Sequence, residues 1–251
     1  ETTYPGSQSA ADLRSSYERE HGRFRQSTRI MSRFIAEAPM SAGFGAMVLA
    51  DNQRYLGDYA GAARRYEAGV HPPGERLPFP IPSNAARAFC WHHALAADAL
   101  APMGDTIPLR AIADTLSLGC ANSFYGRDWR LQHHVRGLIA MQAGRYAEAE
   151  NEFKRAIWKT IEGWSRTTIE LAKAQSALGR PRDAIATLRT GYSTRLNAMG
   201  RYAPISEIDF YMAQYFAQAG ERDSARVYSD YVRRAWRDAD PEIRQLLVRL
   251  P

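Results

Sequence analysis

Cysteine is scarce in this 251-residue chain: Cys90 and Cys120 are the only two. Two thiols exclude a disulfide framework and a four-thiolate zinc site, and allow at most one bridge. No stretch approaches the ~20 consecutive apolar residues of a bilayer-spanning helix, so no membrane span is expected. Period-two alternation bounded by turn residues is missing, which leaves no good strand candidate. Without a strand there is no support for a phosphate-binding Walker loop, and none is present. Gly43-Phe44-Gly45 opens a dinucleotide-like pattern but lacks its third glycine. There is no His-Glu-x-x-His pair and no Gly-x-Ser-x-Gly elbow. Lysine is nearly absent: Lys154, Lys159 and Lys173 stand against 30 arginines. The net charge of +6 is mild, and the arginines are interleaved with acids along the chain, as in Arg64-Arg65-Tyr66-Glu67. That pattern reads as solvated helix faces rather than a nucleic-acid surface. The first residue is Glu1, and no signal peptide is visible. An exported mature chain and an excised domain of a larger protein both fit.

What the chain has is helix. Alanine is the commonest residue, at 40 of 251, and with leucine, arginine and glutamate it favours helices. Apolar residues recur at three- and four-residue spacing; Tyr146, Ala149, Phe153, Ala156 and Ile157 share one face. Glycines punctuate these helices at Gly57, Gly144, Gly179 and Gly220, with a weaker copy at Gly104. Each fits a tight helix-to-helix turn in which glycine takes the left-handed conformation. Five residues after the four strong glycines come Ala62, Ala149, Ala184 and Ala225, small enough for two helices to approach closely. Nine residues after the first three come Tyr66, Phe153 and Leu188, which fill the space beneath; in the fourth, Tyr228 sits one place early. Successive turn glycines are 47, 40, 35 and 41 residues apart, a recurrence that marks a helical repeat array.

On these residues the chain resembles the tetratricopeptide repeat family. The strongest copy is Gly137, Gly144, Tyr146, Ala149, Phe153 and Ala156; Leu171 to Leu188 and Leu49 to Tyr66 follow, and the copies together span roughly residues 40–237. The segment Phe124 to Pro241 is also similar to C-terminal repeat regions of bacterial signalling and regulatory proteins. It carries Tyr125-Gly126-Arg127-Asp128, His133-His134-Val135-Arg136-Gly137 and Arg234-Ala235-Trp236-Arg237-Asp238-Ala239-Asp240-Pro241. The resemblance implies an all-α, right-handed superhelical solenoid of antiparallel helix pairs. Residues 1–8 are expected to be irregular and residues 9–251 to form one repeat domain. We expect about five helix pairs preceded by an N-terminal helix that starts near Ser9 or Asp12, runs toward Ala38 and is weakened at Gly22. Residues 71–84 hold five of the thirteen prolines, cannot be helix interior, and read as a packed connector; the alternative is a docking loop. Arg189 to Ile205 reads as a second insertion.

Little chemistry is visible. Cys90, Trp91, His92 and His93 lie on one expected helix and His133-His134 on the first helix of the next unit. A zinc site needs three or four converging ligands, and adjacent histidines on a helix point apart, so these read as interface histidines and no metal or cofactor is expected. Glu148, Glu150 and Glu152 read as a solvated face with intrahelical pairs. Cys120 reads as a small buried residue rather than a nucleophile. The chain is thus expected not to be an enzyme.

In the family the first helix of each pair lines the concave face, the face on which repeat arrays bind. Counting back from the turn glycines puts Phe44, Met47, Asp51 and Arg54 there, then Trp91 and Asp98, then His134, Leu138 and Met141. Arg166, Ile169 and Lys173 follow, and finally Glu207, Phe210 and Gln214. A lining of aromatics, methionines and both charge signs suits a protein or peptide partner. The expected function is a non-catalytic interaction scaffold, with extrinsic association to an envelope complex as one setting. The alternative is a ligand-sensing regulatory domain of a bacterial kinase or transcription regulator.

Overall fold

The computed structural model describes residues 8–37, 42–69, 83–121, 123, 128–157, 164–192 and 203–251. Most of the proline-rich segment, the first seven residues, positions 124–127 and the middle of the second insertion lie outside them, as do the side chains of Phe44 and residues 83–85.

The described residues are helical throughout and contain no strand. The helices are α1 (Gln8–Glu20), α2 (Phe24–Glu37), α3 (Ala42–Tyr55), α4 (Tyr59–Ala68), α5 (Ser83–Leu100) and α6 (Thr106–Gly119). They continue with α7 (Leu131–Gln142), α8 (Tyr146–Ala156), α9 (Ser165–Ala177), α10 (Pro181–Gly191), α11 (Ile205–Gln218), α12 (Arg222–Ala235) and the short α13 (Pro241–Arg244). Each packs mainly on its sequence neighbours, as a solenoid of helix pairs requires.

The glycine turns are built as the spacing predicts. Gly57, Gly104, Gly144, Gly179 and Gly220 all have positive φ, between 69° and 86°. At four of them the same pair of hydrogen bonds closes the preceding helix. Between α7 and α8, Arg145 N–H donates to the Ala140 carbonyl at 2.9 Å and Gly144 N–H to Met141 at 3.1 Å. This six-to-one closure satisfies carbonyls the helix would leave unpaired. The next helix is started locally: the Asp58 carboxylate caps α4 through Gly61 N–H, Asp105 caps α6 through Ile107 N–H, and Pro181 opens α10. Ala62, Ala149, Ala184 and Ala225 are all buried, and so are Tyr66, Phe153 and Leu188 beneath them. Between α7 and α8 a Cβ on Gly137 would stand 2.4 Å from the Phe153 ring.

The N-terminal helix differs from expectation. It is broken at Gly22, which has φ +68° and the same closure, Arg23 N–H to the Glu18 carbonyl and Gly22 N–H to Arg19. Five and nine residues on stand Ser27 and Met31, both fully buried. The described residues therefore form six helix pairs, and the first obeys the register of the others.

Nor is the array open. Its first pair meets its last. Asp240 N–H donates to the Gly22 carbonyl at 3.0 Å, Arg25 forms a fork on Glu242 at 2.7 and 2.8 Å, and Phe24 joins Phe210, Trp236 and Ile243 in one apolar cluster. Phe24 also stacks on Tyr55, with ring centroids 4.2 Å apart. Within the array, Cys90 of α5 and Cys120 at the end of α6 are joined as a disulfide, so Cys120 is a bridge partner as well as a buried residue.

Candidate binding site

Closure turns the concave face inward and makes it the axis of the molecule. Helix α3 offers Asp51, Arg54 and Tyr55 at spacings of three and four, hence on one face. Asp51 is buried. Its carboxylate accepts from Arg166 at 2.6 Å, from the Tyr66 hydroxyl at 3.2 Å, from Arg54 at 3.3 Å, and from Arg19. Burial pushes the Asp51 carboxyl up, but the guanidiniums of Arg166, Arg19 and Arg54 outweigh it and hold the pKa at about 2. Asp51 is therefore a fixed anion around which three repeat units gather.

Arg166 sits at the first turn of α9, and its guanidinium lies 5.4 Å from the centre of the Tyr55 ring. The Tyr55 hydroxyl donates to Glu207 of α11, and burial raises its pKa. On the far side, Asp98 of α5 accepts from His134 Nε2 at 2.9 Å. On its other ring nitrogen, Nδ1, His134 is hydrogen-bonded with the Thr167 hydroxyl at 3.0 Å. Burial raises the Asp98 carboxyl, and His134 with Arg166 brings it below its ordinary value. Lys173 pairs with Glu170 at 2.6 Å and lies over the Tyr211 ring.

Two adjoining cavities remain. One, of about 310 Å³, is bounded by Arg54, Asp98, Gln142, Arg166 and Lys173 and by an apolar wall of Leu138, Met141 and Ile169. The other, of about 340 Å³, reaches toward the closure through Tyr59, Phe210, Trp236 and Leu246. They share Arg54, Pro102, Lys173 and Glu207. No histidine lines either cavity, and Ser206 is the one aliphatic hydroxyl among the lining residues. Both cavities carry side chains of both charge signs.

The structure brings Asp51, Arg54, Asp98, Arg166 and Lys173 to this axis, with His134 directly behind Asp98. Leu138, Met141, Ile169, Glu207 and Phe210 line the two cavities as well, whereas three other sequence candidates do not. Met47 is buried in the main apolar cluster. Trp91 is buried, edge-on to Trp164 at 5.2 Å, and donates to Asp128 at 3.1 Å. The Gln214 amide reaches the Arg249 carbonyl. The side chain of Phe44 is outside the described residues. Arg19, Tyr55, Gln142 and Glu170 belong to the axis and were not anticipated. Arg19 had a legible signal: it stands three residues before Gly22, as Arg54 stands three before Gly57.

The histidines diverge. His92 bonds the Tyr66 carbonyl, His93 the Phe89 carbonyl and His133 the Glu152 carboxylate. Among the described residues no group of three or more His, Cys, Asp or Glu is placed to hold a metal ion. Glu150 departs from the solvated reading: it is buried and bridges Lys154 to Arg180 of the next unit.

No protein-family profile and no curated protein matches the chain. Solved structures to which it is similar include the following three. In the Cut9–Hcn1 hetero-tetramer of the APC/C the identity is 14% and the TM-score 0.48, over 98% of this chain and 43% of that one. For BtubC from P. vanneervenii the identity is 15% and the TM-score 0.46, over 87% and 90% of the two chains. For PilW, a type IV pilus biogenesis factor, the values are 14% and 0.46, over 96% and 99%. The chain thus spans less than half of the matched chain in the Cut9–Hcn1 assembly.

Proposed function

We propose that this chain is a non-catalytic binding scaffold that holds a short peptide segment of a partner on its inner face. The observation that carries the reading is the pair of adjoining cavities along the axis, lined by first-helix residues of several units. Aromatic anchors at one end and both charge signs at the other suit a segment with apolar and polar registration. The test is capture of partners by the intact chain beside a variant carrying Tyr59→Ala, Lys173→Ala and Leu246→Ala. These are cavity residues outside the Asp51 network. Crosslinks are then mapped on the bait. One protein crosslinked at the inner face and lost with the variant is the expected result. Equal capture by both baits overturns the inner face as the site.

A second reading is favoured by closure itself. The Asp51–Arg166 and Tyr55–Glu207 contacts cross the axis, so the face is no open trough for a long peptide. A cavity of about 310 Å³ is at the small end of the ~300–1,000 Å³ found for small-molecule sites. In this reading the chain is a regulatory domain that senses a small polar molecule. In either case the Cys90–Cys120 bridge favours an oxidising compartment.

A further inference from the structure

We infer that the groove between α1 and α2 docks an extended partner segment with two acidic residues at alternate positions and an apolar residue between them. This groove shares no lining residue with the two axial cavities, so the inference stands apart from both inner-face readings. It holds a cavity of about 340 Å³ framed by three arginines, Arg14 of α1 and Arg29 and Arg33 of α2, with Glu37 the one acid among its lining residues. All three arginines are exposed. Among the described residues Arg14 and Arg33 make no hydrogen bond or ion pair, and Arg29 reaches only the neutral amide oxygen of Gln26, at 3.3 Å. The acids that helical spacing offers are spent or apart. Glu18, four residues after Arg14, pairs with Arg23. Glu37, four residues after Arg33, forms no ion pair with it.

The lining therefore carries a surplus of two positive charges, three guanidiniums against Glu37, that the fold does not neutralise. Arg29 and Arg33 stand one turn apart on α2, where like charges repel. An anionic partner relieves that repulsion. Spacing and floor select its form. Side chains one turn apart on a helix lie about 6 Å apart, close to the ~7 Å between alternate residues of an extended chain. Two carboxylates on alternate residues can thus meet Arg29 and Arg33 together, and Arg14 adds its charge from the α1 wall. The side chain between them points the opposite way, down to the floor, where Ala11, Phe34 and the half-buried Ile30 are apolar. A bare phosphate would leave that floor uncovered. Glu37 at the rim opposes a partner of higher negative charge, such as a nucleic-acid backbone.

The experiment is fluorescence anisotropy of the labelled peptide Gly-Asp-Leu-Asp-Gly against the intact chain at pH 7 and low salt. Gly-Asn-Leu-Asn-Gly and Gly-Asp-Gly-Asp-Gly carry the same label as controls, and inorganic phosphate serves as competitor. We expect saturable binding of the first peptide. It should weaken about tenfold or more without the two charges, about threefold or more without the leucine, and severalfold as salt rises to physiological strength. Arg14→Gln, Arg29→Gln and Arg33→Gln should each weaken it about two- to fivefold, and together they should abolish it. The variant carrying Tyr59→Ala, Lys173→Ala and Leu246→Ala should bind as the native chain does. The melting temperature of the triple arginine variant should hold or rise, because the groups removed bond no acid in the fold and repel one another. A fall would show that these arginines hold the fold, and overturns the inference. Absence of saturable binding overturns it too. Binding that survives the arginine changes but is lost with the Tyr59, Lys173 and Leu246 changes places the peptide on the inner face; this inference then fails and the peptide reading of that face gains. Equal binding of Gly-Asp-Gly-Asp-Gly, or displacement by phosphate at the peptide's own concentration, reduces the groove to a bare-anion site and overturns the docking of a segment.

Discussion

Replacing Asp51 by asparagine keeps the shape of the side chain and removes the charge that gathers Arg19, Arg54 and Arg166. Folding lowers the Asp51 pKa from an ordinary 3.8 to about 2. At 1.36 kcal/mol per unit, the fold favours the ionised form over the protonated one by about 2 kcal/mol. Asparagine resembles the protonated form but points an amide at cations, so Asp51→Asn should cost at least about 2 kcal/mol. Asp51→Ala, which leaves buried guanidiniums facing one another, should cost about 3–5 kcal/mol. Urea unfolding followed by tryptophan fluorescence and circular dichroism measures both, provided the slope is unchanged. The pH dependence is specific. A carboxyl whose pKa is depressed by folding contributes fully above its unfolded value and loses the contribution as pH falls through its folded value. The gap between native chain and Asp51→Asn should therefore be constant above about pH 4 and vanish toward about pH 2. A gap under about 0.5 kcal/mol at pH 7, or one of equal size from pH 7 to pH 2, would refute the reasoning.

Three other expectations follow from the packing. Gly22→Ala and Gly57→Ala both put a side chain at positive φ, which costs about 1–2 kcal/mol. A Cβ at Gly22 also stands 2.7 Å from Ala239 and 2.9 Å from Ile243, whereas one at Gly57 meets nothing within 4 Å. Gly22→Ala should be the worse by about 1 kcal/mol or more in urea unfolding, and equal losses would contradict the closure. Ala149→Leu, at a fully buried position between α7 and α8, should destabilise by about 1–3 kcal/mol; an unchanged melting temperature would contradict the register. Reducing the Cys90–Cys120 bridge, which closes a 30-residue separation, should lower stability by about 3–4 kcal/mol in the chain-entropy account. A melting temperature insensitive to reductant would show that the bridge is not formed in solution.

Local features were legible because they repeat. A glycine that must turn left-handed, a small residue five places on and a large one nine places on are each fixed by contacts within one helix pair. The Gly22 pair escaped because serine and methionine fill those places in Ser27 and Met31, and no alanine or aromatic marked them. The Gly104 unit is degenerate for a related reason: its large residue, Leu109, stands five places on and its small one, Ala113, nine, both buried. Size is exchanged between the two positions, so the volume beneath the turn is still filled. The concave register was legible to the same extent, and it correctly picked the helix faces bearing Asp51, Asp98, Arg166 and Lys173. It failed for Trp91 and Met47, since a first helix packs against its neighbours as well as facing inward, and counting from a glycine does not separate the two directions.

Closure was not legible, and it changes what the inner face can do. Asp51 and Arg166 are 115 residues apart, and Tyr55 and Glu207 are 152 apart; no local rule relates such positions. They meet only because the curvature accumulated over six pairs returns α11–α13 to α2. In an open solenoid the same charges would face water and await a partner. Here most are paired with each other, and buried pairs of this kind gain little net stability over apolar residues because desolvation offsets attraction. They do fix which groups remain. Asp51 takes one side of Arg54 and of Arg166, and His134 takes one oxygen of Asp98; Arg54 Nη2, Arg166 Nε and Asp98 Oδ2 are left buried with no hydrogen-bond partner among the described residues. A change that loosens the network, such as Asp51→Asn, should alter binding as well as stability.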